Sequence, residues 1–146
     1  SSARPLAYSG NVIDNFSLTF KEGVVVDFSA EQGEDLLEKM INVDDGASML
    51  GEVALVPNSS PISQSGLLFY NTLLDENASC HLALGSAYRF SLEGGENLST
   101  EEFSSRGGNS SLIHEDFMIG SGEMDIDGIL EDGSVEPVLR AGEWAF

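Results

Sequence analysis

The stretch SLIHEDFMIG, residues 111–120, is apolar enough to be a buried strand, yet it carries His114 and Asp116 two residues apart. On a strand successive side chains alternate faces. Leu112, His114, Asp116 and Met118 therefore share one side, and Ile113, Glu115, Phe117 and Ile119 share the other. An imidazole beside a carboxylate on a buried strand needs partners, because an isolated buried charge is very costly. Reading this stretch as a strand over 112–119 makes the domain strand-built and directs attention to what its polar face meets.

The preceding segments fall into the same kind of pattern. FSLTFKEGVVVDFSA (16–30) reads as a β-hairpin, with strands near 16–20 and 24–28 and a turn at Lys21–Glu22–Gly23. A helix is expected at about 30–42. Ser29 and Gln32 form a capping-box signature there, and Leu36, Leu37, Met40 and Ile41 form an apolar stripe. DDGAS breaks that helix, and GEVALVP (51–57) is a short strand stopped by Pro57. NSSPISQS reads as loop, and GLLFYNTLLDENAS (66–79) leans towards helix in its second half. A strand at CHLALG (80–85) and a loop at LEGGEN come next. A short helix in LSTEEFSSRGG follows, with Ser99 as N-cap, Glu102 closing the box and Gly107 as its stop. After the 112–119 strand, MDIDGILEDGSVEPVLR (124–140) is a hairpin region turning near Glu131–Gly133. The chain shows no internal repeat. The fold class is α+β, a strand-rich single domain with a few short helices.

Composition narrows the function classes. The 146 residues suffice for one domain with a real core, and eight Phe and one Trp argue against disorder. Twenty-five acids against six bases give a net charge of −19. Phosphate recognition needs a basic face, so nucleic acid is not an expected partner. There is no basic patch for an anionic membrane and no apolar run long enough to span one. Such acidity serves solubility, or else gathers some carboxylates around a cation. A single cysteine, Cys80, excludes an internal disulfide framework and suits a reducing, cytoplasmic setting. Five Asn-x-Ser sequons, at Asn15, Asn58, Asn77, Asn97 and Asn109, read as accidents of a Ser- and Asn-rich composition. The start SSARPLAYSG lacks a methionine, as expected of a piece cut from a longer polypeptide, of processing, or of expression design.

Both histidines lie in apolar strand segments. His81 shares a face with Ala83, and His114 shares one with Asp116. In the third such segment Glu52 has Ala54 beside it, and Glu76 stands just upstream of His81 in DENASCH. Small neighbours leave room for something other than a side chain. Two imidazoles and three carboxylates from separate segments make a nitrogen–oxygen set suited to zinc, cobalt or manganese. The same residues also fit a plainer reading, with hydrogen-bonded core histidines and solvent-facing carboxylates. Spacing alone leaves both open. DIDG (125–128) lacks the later oxygen ligands of a calcium loop, so Asp125 and Asp127 read as the wet face of a strand.

At these residues the chain resembles a known family. GEVALVP, PIS, LFYNTLLDENASCHLALGSAY, HEDFMIGSGEMDIDGI and the closing GEWAF are similar to the C-terminal part of the bacterial metallo-aminopeptidases of the aminopeptidase T / aminopeptidase S / PepS family. RPLAYSGNVIDNFSLTFKEGVVVDFSAEQGEDLLEKM also fits, so the likeness covers essentially the whole chain. The resemblance implies that residues 1–146 are the C-terminal catalytic domain of a two-domain metallopeptidase whose N-terminal α/β domain lies outside this chain. It implies two divalent metal ions, zinc or cobalt with manganese and magnesium as alternatives, and release of N-terminal amino acids from peptides. The family's metal ligands match at Glu52, Glu76, His81, His114 and Asp116, and its active-site tyrosine matches at Tyr88. A homodimer is implied as well. One further glutamate ligand of the family lies upstream of residue 1, so weak metal binding and little activity are expected of the isolated chain. Another metallohydrolase on the same scaffold, or a non-catalytic acidic interaction domain, are the competing readings.

Overall fold

The computed structural model describes residues 1–146 throughout. The first sheet is antiparallel in the order β1 (Leu6–Tyr8), β2 (Asn11–Lys21), β3 (Val24–Gln32). Glu22 and Gly23 take φ of 53° and 80°, the left-handed pair that a tight two-residue hairpin needs. The hairpin expected from the sequence is therefore present, but it is longer at both open ends. β2 begins at Asn11, β3 continues to Gln32, and the short β1 adds to the far edge of β2, with Leu6 opposite Ile13.

That extension corrects the expected helix start. Ser29, Ala30 and Gln32 are paired with Ser17, Phe16 and Asp14, and the Ser29 hydroxyl meets that of Ser17 at 3.0 Å instead of capping a helix. Cross-strand pairing overrides a local capping signature. The helix α1 runs only from Glu34 to Ile41 and starts at Gly33, whose φ of 78° suits glycine and turns the chain sharply out of β3. The Glu34 carboxylate then accepts from the Ala30 amide at 3.0 Å. α1 buries Leu37, Met40 and Ile41, as its stripe predicts.

The second sheet is antiparallel in the order β4 (Leu50–Ala54), β5 (His81–Gly85), β6 (His114–Met118), so β5 is central. These are the strands expected near 51–57, 80–85 and 112–119; β4 starts one residue early and stops at Ala54, β5 loses only its first residue, and β6 is trimmed at both ends. The 58–65 stretch, expected as loop, instead holds one helical turn, α2 (Pro61–Ser65). Proline at its first position and Gly66 as its left-handed stop were legible signals. α3 (Thr72–Asp75) runs into a 3-10 turn at Glu76–Ala78, as the helical leaning of 66–79 implied. α4 (Thr100–Ser105) carries the full capping box between Ser99 and Glu102. A third sheet joins β7 (Ile126–Ile129), β8 (Val135–Arg140) and β9 (Glu143–Trp144). Asp127 is tied there to Arg140, and Asp125 accepts from the Ala141 amide at 2.8 Å, so both serve the hairpin.

The core gathers Leu6, Ile13, Phe16, Leu37, Met40 and Ile41 against Leu84 and Phe117. Phe16 and Phe117 meet edge to face at 5.7 Å. The first sheet and α1 thus cover the back of the second sheet, since Leu84 and Phe117 project from that side. The front face is left to the polar set. No helix is long and apolar enough to cross a membrane.

Candidate metal centre

Residues directly opposite in an antiparallel ladder point to the same side. Glu52 is opposite Ala83, and Ala83 is opposite Asp116. His81 faces Ala54 on one flank and Met118 on the other, while His114 faces Gly85. The register therefore puts Glu52, His81, His114 and Asp116 on the front face, around the fully buried Ala83. A larger residue at position 83 would fill the space the four side chains enclose. Glu76 joins them from the 3-10 turn that leads into β5.

The distances describe a single cluster. His81 Nε2 lies 3.5 Å from Glu52 Oε1, and His114 Nε2 lies 3.5 Å from Glu52 Oε2. Glu52 thus offers one oxygen to each imidazole. Asp116 Oδ1 stands 3.8 Å from His81 Nε2 and 3.5 Å from His114 Nε2. Two sets of potential ligand atoms result, Glu52–His114–Asp116 and Glu76–His81–Asp116, each lying within 4.8 Å of one another. The edge of a tetrahedron with metal–ligand bonds of 2.0–2.1 Å is about 3.4 Å. Separations near 3.5 Å are too long for good hydrogen bonds and match that edge.

Both rings are oriented from behind. His81 Nδ1 meets the Ser79 carbonyl at 3.1 Å, and His114 Nδ1 meets the Ser86 carbonyl at 2.6 Å. A proton held on Nδ1 by a carbonyl leaves the Nε2 lone pair facing the carboxylates, the usual arrangement behind a metal-binding histidine. Asp116 Oδ1 is buried without a hydrogen-bond donor. Such an atom is costly unless positive charge sits against it. The residues present fit a divalent cation.

The electrostatics agree. The Asp116 carboxylate beside His114 pushes that imidazole up to about 9, with partial burial opposing and the Ser86 carbonyl assisting. Burial, then the charge of Asp116, holds the Glu76 carboxyl above its ordinary range. Three carboxylates converging on one small space repel, and a cation relieves the repulsion. The Tyr88 ring lies 4.4 Å from the His114 ring and stacks on Phe90 at 5.1 Å. Burial and the charges of Asp116, Glu52 and Glu76 push its phenol up, so it stays a protonated donor at neutral pH.

All six residues singled out from the sequence come together on one side of the second sheet. What sequence reading missed is the backing layer, namely the Ser79 and Ser86 carbonyls and the buried amide of Asn109. Main-chain carbonyls leave no trace in residue identity. Asn109, one of the five sequon asparagines, is buried, and nothing in its local sequence marks the carbonyls its amide meets.

The thermophilic metalloprotease (M29) family matches residues 1–144. Aminopeptidase 2 of Geobacillus stearothermophilus is 61% identical over 145 residues, covering 99% of this chain and 35% of that protein. Aminopeptidase AmpS of Bacillus subtilis (strain 168) is 60% identical over 146 residues, covering 100% of this chain and 36% of the relative. The structure of wild-type AmpT from Thermus thermophilus superposes with a TM-score of 0.90 at 48% identity, over 99% of this chain and 35% of that one. The chain thus spans about a third of the length of the relatives it matches.

Proposed function

We propose, for a chain that belongs to the thermophilic metalloprotease (M29) family, that it supplies the catalytic metal centre of an aminopeptidase. Residues 1–146 act in this reading as the C-terminal catalytic domain of a longer protein, working on the N-terminal bond of peptides in the cytoplasm. That protein pairs as a homodimer. The observation that carries the reading is Glu52, which offers one oxygen to each of two histidines at 3.5 Å while Asp116 serves both.

Glu52, His114 and Asp116 would hold one divalent ion, and Glu76, His81 and Asp116 the other, with zinc or cobalt suited to this donor set. When bound, such a pair polarises a scissile carbonyl and acidifies water. The chain's own groups do the rest. The carbonyls of Ser79 and Ser86 hold the Nδ1 protons, so neither imidazole turns away. Tyr88, kept protonated, donates its O–H to the oxygen that gains charge as the carbonyl is attacked. The converging carboxylates and the net charge of −19 attract the substrate's free ammonium group.

The test compares wild type with His81→Ala and His114→Ala, both in this chain and in the full-length protein. Elemental analysis gives the metal content, and hydrolysis of a leucine amide gives the activity. The reading expects metal and hydrolysis in the full-length wild type and loss of both in each variant. Equal metal content in all three would overturn it.

A further inference from the structure

Asn109 precedes β6, with only 9% of its surface exposed. Its side-chain amide donates to two main-chain carbonyls, Gly46 at 2.8 Å and Gly85 at 2.6 Å. Its own main-chain carbonyl accepts from the Ala87 amide at 2.9 Å. One residue therefore holds the backbone on both sides of Ser86. Between those anchors the Ser86 amide donates to the Ile113 carbonyl at 2.7 Å, and the Ser86 carbonyl accepts from His114 Nδ1 at 2.6 Å. The fit is tight. Gly85 sits at φ 96°, and a Cβ there would collide with the Ile113 carbonyl.

We propose that Asn109 is a positioning residue of the centre. Its grip on Gly85 and Ala87 aims the Ser86 carbonyl at His114 Nδ1. That keeps His114 Nε2 turned towards Glu52 and Asp116. The same grip places Tyr88, the residue after Ala87, against the His114 ring at 4.4 Å. The chemistry of the position requires a neutral side chain with two hydrogens to give. A carboxylate would set charge against two carbonyl oxygens, and an aliphatic chain of the same size would take the side-chain donor away from both, leaving Gly46 with only its bond from the Met49 amide. The functional half of this proposal rests on His114 being a metal ligand, whereas the geometric half does not.

The two halves are separated by experiment on Asn109→Ala, with Asn109→Ser, which keeps one donor, read in the same way if the alanine variant does not fold. Proton NMR with nitrogen-labelled histidine follows the His114 Nδ1–H resonance, expected downfield and slow to exchange in both metal-free and zinc-loaded wild type. In the variant that resonance is lost to exchange, while the His81 Nδ1–H, held by Ser79 at the opposite end of β5, is unchanged. Zinc affinity falls about tenfold or more, as for loss of a group supporting a ligand. A folded variant that keeps both the His114 Nδ1–H and wild-type zinc affinity overturns the proposal. Should wild type take up no zinc at all, the metal reading falls, and the metal-free Nδ1–H comparison still decides the positioning role.

Discussion

Asp116→Asn removes one charge and little volume from the most buried carboxylate of the centre, and its consequences differ with and without metal. In the metal-free chain, His114 carries a proton up to about pH 9 because Asp116 lies beside it. A group whose pKa rises on folding contributes stability that is fully present below its unfolded value, near 6.5, and lost as pH climbs through the folded value. The interval from 6.5 to about 9 bounds the contribution at about 3 kcal/mol. Because the imidazole is partly solvated, roughly 1–3 kcal/mol is expected. Urea unfolding in the presence of a chelator, at pH 6 and at pH 9.5, measures it. Wild type should lose that amount on going to pH 9.5, and Asp116→Asn should show a much flatter profile. Above pH 9 His114 no longer sets a positive charge against Asp116, so the asparagine variant should be the more stable there. Zinc should reverse the wild-type trend, since ligation requires neutral imidazoles and strengthens as pH rises towards about 9, where His114 gives up its proton. A metal-free wild type whose stability is flat or rising from pH 6 to 9.5, or an Asp116→Asn chain that keeps the full slope, would contradict the coupling of Asp116 to His114.

Two other expectations are simpler to check. Tyr88→Phe in the full-length protein should leave metal content unchanged and lower turnover on an aminoacyl amide by about 10²–10³-fold, the usual cost of losing an oxyanion donor; unchanged turnover would remove Tyr88 from the chemistry. Ser99→Ala breaks the capping box of α4 and should cost about 1 kcal/mol in chemical denaturation without altering zinc uptake.

Much of this was legible in the residues. Alternation alone placed His114 and Asp116 on one face, and the box at Ser99 and Glu102 located α4. The Ser29 signature misled because residues 29–32 are the continuation of β3, and nothing local reveals that a strand partner begins as early as Asn11. The short β1, stabilised only by its pairing with β2, carries too few residues to show a period. Convergence of Glu52 with both histidines depends on the register of three strands, which no single strand encodes. The family resemblance supplied the five candidate ligands, the register supplies a physical reason why four of them can meet, and the 3-10 turn before β5 brings in Glu76. The backing layer, made of carbonyls and one buried amide, is invisible to any reading of side-chain chemistry.

Anomalous diffraction at the zinc edge, from zinc-loaded crystals of the full-length protein, locates any metal held by these five residues. Two peaks are expected on the front face of the second sheet. One should lie about 2 Å from His114 Nε2 and the other about 2 Å from His81 Nε2, with Asp116 and Glu52 between them. Density with no anomalous signal at those nitrogens, or zinc bound only elsewhere on this acidic surface, would contradict it.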